Sequence, residues 1–111
     1  MKAKLKLYIT DDNGDQVFGQ GPLMLLEGVE KHGSLSAAAR ESGISYSKAL
    51  RIIKKAEGSL GFSLTKKVSG GKGGGGSALT AQAADFLQRY KKLQEKAESF
   101  VSQEFARDIL D

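Results

Sequence analysis

The sequence has no cysteine, a single histidine and a single proline among its 111 residues. Without cysteine the chain forms no disulfide and carries no thiolate chemistry, which agrees with a reducing compartment. His32 has no second histidine or cysteine with which to hold a metal, and we expect a solvated residue near a helix C-terminus. No paired carboxylates stand in an apolar setting either. The sequence therefore predicts no enzyme, no metal site and no cofactor.

Long apolar runs are also missing, although 40% of the residues are hydrophobic. No stretch approaches the length that crosses a bilayer, and the opening residues KAKLKLYIT alternate between apolar and polar. We therefore expect no signal peptide, no membrane contact and a cytoplasmic location. The length is typical of one domain with one extension.

The positive charge is concentrated in one part of the chain. Residues 40–75 hold eight basic and two acidic side chains, a net charge of +6, whereas the whole chain carries +4. The segments on either side are therefore slightly acidic. A charge excess confined to one stretch is the electrostatic pattern that a phosphate backbone attracts.

Residues 34–60 have the pattern of a helix-turn-helix. Ser34 and Ser45 are predicted N-caps of two helices, and Gly43 between them tolerates the positive φ of a tight turn. The second helix has one apolar face at helical spacing, formed by Ala49, Ile53, Ala56 and Leu60. Its opposite face is polar and basic, which suits a helix that enters the DNA major groove. A plain helical hairpin would show the same spacing.

The residues before this motif predict a strand hairpin and a helix. Apolar residues alternate over residues 3–9, as in a half-buried strand, and Asn13-Gly14 predicts a type I′ turn that pairs Ile9 with Phe18. A calcium loop is excluded, because the glycine and glutamate that it requires are absent. A helix is predicted to begin at Gly21-Pro22, with proline at its first position, and to end at Gly33.

A glycine-rich run, SGGKGGGGS, follows the helix-turn-helix. Phe62, Leu64 and Val68 predict a strand before it, and Ala78 and Leu79 a return strand after it. This arrangement predicts the wing of a winged helix over residues 62–79. A dinucleotide-binding loop would need a helix that begins at the glycines, whereas here the next helix begins after Thr80. A flexible linker remains an alternative.

Residues 80–111 predict one long helix capped by Thr80. Its apolar residues follow the spacing of a helix seam and then shift register: Tyr90, Leu93, Ala97, Phe100, Val101, Phe105 and Ile109, with Phe86 before them. A helix of about thirty residues is about 45 Å long, too long for a domain of this size to cover. We therefore predict that these residues form a homodimer interface. The alternative is a tail that folds back on its own domain.

Three segments together resemble a known family. GISYSKA, SGGKGGGGSALT and the N-terminal hairpin are similar to the DNA-binding domain of ModE-type molybdate-responsive transcription regulators, and the helix-turn-helix is distantly similar to LysR-type regulators. The resemblance implies a mostly α fold with small β elements. Residues 1–79 would form the winged helix with its N-terminal hairpin, and residues 80–111 the dimerisation helix.

The resemblance also implies a function, sequence-specific binding of double-stranded DNA at an inverted repeat. The resemblance places DNA contacts on the second helix and at the wing: Ser45, Tyr46, Ser47, Lys48, Arg51, Lys72, Gly73 and Gly74. We also predict as DNA-binding residues four others of the helix-turn-helix: Ser34, Ser36, Lys54 and Lys55. ModE-type sensors carry oxyanion-binding domains after this region, and the chain ends at Asp111, so we expect no molybdate binding by this chain. The alternative function is a protein-interaction or assembly module, or RNA binding, without specific DNA readout.

Overall fold

The described part of the chain folds into four α-helices and two short antiparallel hairpins. The computed structural model describes residues 1–69 and 76–111. In chain order the elements are β1 (Ile9–Thr10), β2 (Gln16–Phe18), α1 (Gln20–His32), α2 (Leu35–Glu41), α3 (Tyr46–Leu60), β3 (Thr65–Val68), β4 (Gly76–Leu79) and α4 (Ala81–Phe105), with a π-helical turn over Ala106–Leu110. This order confirms the predicted fold class. None of the helices in the described ranges combines the length and the hydropathy that a membrane crossing requires.

The N-terminal strand is shorter than the sequence predicts. Apolar residues between 3 and 9 are half-buried and their neighbours exposed, so the alternation is present. Ladder pairing begins only at Ile9, however, which pairs with Phe18 as predicted. The earlier residues run beside α4, where the Leu7 carbonyl accepts a hydrogen bond from the Tyr90 hydroxyl at 2.5 Å. The alternation therefore reflects packing on a helix, and the predicted strand over residues 3–9 is wrong for most of its length.

The predicted type I′ turn is also wrong. Gly14 has a φ of +89°, but no non-glycine residue in the described ranges has a positive φ, whereas a type I′ turn needs one at Asn13. The Asp11 carboxylate instead accepts the N–H groups of Asn13 and Asp15 at 2.9 and 3.0 Å. The register then shifts, and Thr10 pairs with Gln16. The aspartate side chain thus stabilises a longer, bulged loop.

Helix α1 begins two residues before Pro22, the residue predicted to be its first. Gly19 is the N-cap and Gln20 the first helical residue, so Pro22 is third, not first. Proline is tolerated there because the first-turn N–H groups have no partner within the helix. The end at Gly33 is as predicted, with a φ of +73° and the Gly33 N–H donated to the Val29 carbonyl.

The helix-turn-helix agrees closely with its prediction. The Ser34 hydroxyl accepts the N–H of Ala37 at 3.0 Å, and the Ser45 hydroxyl accepts that of Lys48 at 3.1 Å. Gly43 has a φ of +75°. At the close contact of α1 with α2, a Cβ on Gly28 would lie 2.6 Å from the Ala38 Cβ. Small residues therefore let these helices approach closely.

The wing consists of β3 and β4. They pair in full register from Thr65 opposite Leu79 to Val68 opposite Gly76, which places the first strand later than Phe62. Leu64, just before it, is fully buried, and its N–H is donated to the Glu57 carboxylate at 2.7 Å. The predicted tip residues Lys72, Gly73 and Gly74 lie outside the described ranges.

The core joins all four helices to the first hairpin. Phe18 is fully buried, and its ring lies edge-on to the rings of Phe86 and Tyr90, each with a centroid separation of 4.9 Å. Leu26 and Ile53 contribute from α1 and α3. Aromatic side chains of the first half of α4 therefore close the core from one side.

The second half of α4 extends beyond this core. Leu93 is 51% exposed, Phe100 63% and Ile109 64%. Val101 was expected to lie too far along to be covered, yet it is partly buried and shares a shallow cleft with Ala3 and Leu5 of the N-terminal segment. The long helix therefore has a covered side and an uncovered apolar side.

Candidate nucleic-acid interface

The outward face of α3 carries polar and basic side chains on a rigid support. Ala49, Ile53 and Ala56 are at most 1% exposed and attach the helix to the core. The opposite face exposes one serine and four basic side chains: Ser47, Lys48, Arg51, Lys54 and Lys55. Every one of them was predicted from the sequence as a DNA-binding residue, and the structure brings them together on one surface.

These side chains differ in how much of their charge is already paired. Lys54 lies 3.4 Å from the Glu57 carboxylate, which also accepts the N–H of Leu64. In the described part of the chain, none of the ion pairs involves Lys48, Arg51 or Lys55. Three cations of this face are therefore available to an external anion, while Lys54 has an internal partner.

A cleft of about 520 Å³ separates the helix-turn-helix from the base of the wing. Ser34, Ser36 and Tyr46 line it on the helical side, and Lys67, Ser69 and Ser77 on the wing side. Its lining offers hydroxyl groups and one ammonium, which suit phosphate or sugar oxygens. Two predicted serines do not present a free hydroxyl in the same way, because Ser34 and Ser45 use theirs as helix caps.

Two candidate residues escaped the sequence analysis. Leu50 is 37% exposed on α3 beside Arg51, although it is a large apolar residue. Lys67 lines the cleft from β3. The strand alternation around Val68 could have shown that Lys67 faces outward. Leu50 lies to one side of the apolar face formed by Ala49, Ile53 and Ala56, and this offset was the signal that it could be exposed.

The dimerisation residues are divided by the structure. Tyr90 was predicted to contact a second chain, but it is 2% exposed and lies in the core of its own chain. Burial raises the pKa of its hydroxyl, which points to Leu7. Leu93, Phe100 and Ile109 remain exposed. The other three predicted dimerisation residues are half-buried: Ala97, Val101 and Phe105.

An ion pair connects the ends of the first two helices. His32 Nε2 contacts the Glu41 carboxylate, and Lys31 Nζ lies 3.8 Å from the same oxygen. The hydrogen bond from His32 lowers the pKa of Glu41 below its ordinary value. His32, the last residue of α1, thus pairs with Glu41 of α2 at the surface and is not one of the residues on the basic face of α3.

Comparisons with known proteins agree with this geometry. Residues 22–84 match the family of bacterial regulatory helix-turn-helix proteins, lysR family. The matched range runs from the first turn of α1 to the first turn of α4, and it includes the helix-turn-helix and the wing. It covers more than half of the chain.

Curated relatives carry names that refer to molybdenum or to DNA. The chain aligns over 77 residues with the molybdenum transport protein ModE of Herbaspirillum seropedicae, at 35% identity. The alignment covers 69% of this chain and 29% of that protein. It aligns over 87 residues with the DNA-binding transcriptional dual regulator ModE of Escherichia coli K12, at 33% identity. This alignment covers 76% of this chain and 33% of that protein. The chain thus spans about a third of the length of these relatives.

Solved structures share the fold. A CbnR_DBD–DNA complex matches with a TM-score of 0.60 at 24% identity, covering 78% of this chain and 93% of that one. A BenM_DBD/benA site 1 DNA complex matches with a TM-score of 0.53 at 24% identity, covering 75% and 88%. At this identity the likeness concerns the fold. Taken with the match over residues 22–84, it confirms the predicted resemblance: the chain belongs to the lysR family of bacterial regulatory helix-turn-helix proteins.

Proposed function

We propose that the chain is a transcription regulator that binds specific sequences in double-stranded DNA as a homodimer. The observation that carries the proposal is the face of α3, where Lys48, Arg51 and Lys55 are exposed on a helix fixed by its buried side. A major groove about 12 Å wide admits an α-helix presented in this way. The named DNA-binding relative and the two DNA-complex neighbours support the assignment.

The residues of this face are given different roles. Arg51 and Ser47 lie on the outermost line of α3, where side chains reach base edges, and arginine bonds guanine through two donors. Lys48 and Lys55 lie to one side, where a phosphate strand passes. Lys67 in the cleft would add a phosphate contact from the wing. Base contacts supply specificity, and phosphate contacts supply affinity and register.

The division into two parts belongs to the same proposal. Residues 1–79 form the DNA-binding part, with the helix-turn-helix over 34–60 and the wing over 62–79, and residues 80–111 form the dimerisation helix. Leu93 and Phe100, seven residues apart, form a row of exposed apolar side chains on one side of α4, and Ile109 exposes further apolar surface in the π-helical turn that follows. A second copy of α4 covers such a row in a symmetric dimer. Two related α3 helices then call for an inverted repeat in the DNA.

The proposal assigns no enzymatic activity, cofactor or molybdate binding to the chain. The relatives named for molybdenum are more than three times as long as the region that matches this chain, so most of their length has no counterpart in the alignment. The basic face and the apolar row are both used by a DNA-binding dimer. A protein-interaction module would use the apolar row alone and leave the basic face without a partner.

Selection from a random duplex library tests the proposal, followed by fluorescence anisotropy on the enriched sequence and a scrambled one. We expect enrichment of an inverted repeat and at least tenfold tighter binding to it. Replacing Lys48, Arg51 and Lys55 with alanine should abolish the preference. Replacing Lys2, Lys4 and Lys6, which are exposed in the N-terminal segment, removes the same charge and should leave the preference intact. No enrichment, or equal loss in both triple variants, contradicts the proposal.

A further inference from the structure

One backbone hydrogen bond ties the wing to the start of the helix-turn-helix. The Ser77 N–H in β4 donates to the Gly33 carbonyl at 2.8 Å. Gly33 ends α1 in the left-handed conformation, and the next residue, Ser34, caps α2. The second strand of the wing therefore contacts the residue that directly precedes the helix-turn-helix.

Gly76 makes this contact possible because it has no side chain. A Cβ at this position would lie 2.8 Å from the Gly33 carbonyl oxygen and 3.1 Å from Val68 Cγ2. The described glycines with positive φ are Gly14, Gly33, Gly43 and Gly61, so backbone conformation does not explain a glycine at 76. Space does, since a backbone carbonyl cannot rotate away as a flexible side chain would.

The bond to Gly33 lies outside the ladder of the wing. Ser77 lies opposite Lys67 in the ladder. The Ser77 N–H points away from β3 and towards the α1–α2 turn, so Ser77 and Lys67 form a pair that exchanges no hydrogen bonds between the strands. Loss of the contact would leave β3 and β4 paired with each other. It would release the pair as a unit from the helical part.

The same contact sets the width of the cleft. Ser34 and Ser36 line one side, and Lys67 and Ser77 the other. Ser77 takes part in both the contact and the lining, so a shift of β4 away from Gly33 moves Lys67 with it through the paired strands. The spacing between α2 and the wing base is therefore fixed at Gly33, Gly76 and Ser77.

We propose that the contact of Gly76 and Ser77 with Gly33 is a positioning element, which holds the wing at one distance from α3 so that DNA meets both at once. The inference rests on the proposed DNA-binding function. Gly76 and Gly33 touch no DNA in this scheme; they act through Lys67 on the paired strands β3 and β4. Preorganised placement of two contact regions avoids the entropy cost of ordering them on binding.

Gly76→Ala tests the inference, with Gly58→Ala as the matched control, because a Cβ on Gly58 in α3 meets nothing within 4 Å. We expect Gly76→Ala to bind the selected duplex about tenfold more weakly. Hydroxyl-radical footprinting should lose protection where the wing lies and keep it where α3 lies. The Ser77 amide should exchange hydrogen faster. Gly58 lies on the outward line of α3 with Ser47 and Arg51, so Gly58→Ala controls for the footprint and for exchange: it should keep the wing protection and the Ser77 exchange rate of the unaltered chain.

A second variant guards against misfolding of Gly76→Ala. Replacing the Ser77 amide with an ester removes the N–H donor and adds no atom, and it should reduce wing protection in the same direction. Unchanged affinity and footprint in both variants, or equal loss of wing and α3 protection, overturns the inference. Failure of the unaltered chain to bind any duplex would instead refute the proposed function, so the two failures are distinguishable.

Discussion

Helices α3 and α4 bury one face each, but their other faces have opposite chemistry. In α3 the centre of the apolar face is covered, with Ala49, Ile53 and Ala56 at most 1% exposed, and the exposed side is mostly polar or basic, with Tyr46 and Leu50 as its large apolar residues. In α4 the covered face ends with Tyr90 as its last fully buried residue, and apolar side chains continue into solvent.

The exposed sides of α3 and α4 therefore differ in the kind of binding partner that would stabilise them. The exposed side of α3 is stable in water, and a polyanion adds ion pairs to it with release of counterions. Burying the exposed apolar side of α4 would gain about 25 cal/mol per Å² of apolar area removed from water, so a protein surface is its suitable partner. One helix thus points to DNA and the other to a second chain.

The largest expected effect comes from placing a charge in the apolar row of α4. In Phe100→Asp a carboxylate would be buried without a partner in the dimer, a cost of at least about 3 kcal/mol. We expect the dimer dissociation constant to rise at least about 100-fold in sedimentation equilibrium. Met24→Asp is the control, because Met24 is 51% exposed on α1. An intact chain that stays monomeric at high concentration contradicts the comparison.

The next largest effect concerns the outward side of α3. Arg51→Ala should cost about 1–3 kcal/mol in binding to the selected duplex and relax the preference at one base pair. Arg89→Ala is the control of equal charge, since Arg89 is 79% exposed on α4 and pairs with Asp85 at 3.0 Å. If Arg51→Ala weakens all sequences equally, Arg51 contacts phosphate and does not read a base.

A smaller effect marks the boundary between the covered and uncovered parts of α4. Tyr90→Phe removes the hydrogen bond to the Leu7 carbonyl and should lower the free energy of unfolding by about 1 kcal/mol in urea titration. The N-terminal segment should then exchange its amide hydrogens faster, and DNA affinity should change little. A variant as stable as the unaltered chain would show that the bond contributes nothing.

The same tyrosine predicts a pH dependence. Burial raises the Tyr90 pKa above about 10, so the folded state favours the neutral hydroxyl. The contribution of the neutral Tyr90 hydroxyl to stability is complete below the pKa that it has in the unfolded chain, and it is lost as the pH rises through the higher pKa that it has in the folded chain. Alkaline unfolding should therefore be shallower in Tyr90→Phe. Identical alkaline titrations of the two proteins would assign the instability to other groups.

The helix-turn-helix could be predicted from the sequence because its determinants are local. Ser34, Gly43 and Ser45 each act within four residues of their own position, through caps and one turn. The N-terminal loop could not, because the Asp11 carboxylate competes with the preference of Asn13-Gly14 for a type I′ turn. Local signals therefore predict a structure well only where no side chain offers the backbone another partner.

The candidate site shows the same limit at longer range. Helical spacing placed Tyr90 and Leu93 on one seam, but it could not show that the ring of Phe18 packs on Tyr90 while Leu93 stays exposed. Likewise, no pattern in the sequence links Gly76 to Gly33, which lie 43 positions apart. Contacts between distant segments decide which residues of a regular pattern remain available to a partner.

The salt dependence of duplex binding tests most directly whether the concentrated charge of residues 40–75 binds phosphate. Four to six phosphate contacts per subunit would give a log–log slope of affinity against salt between about −3.6 and −5.4 per subunit, at about −0.9 per contact. Fluorescence anisotropy of the intact chain on its selected duplex, from low to physiological salt, measures it. A slope in that range is the predicted result. An affinity that does not change with salt, or no binding even at low salt, would contradict the account.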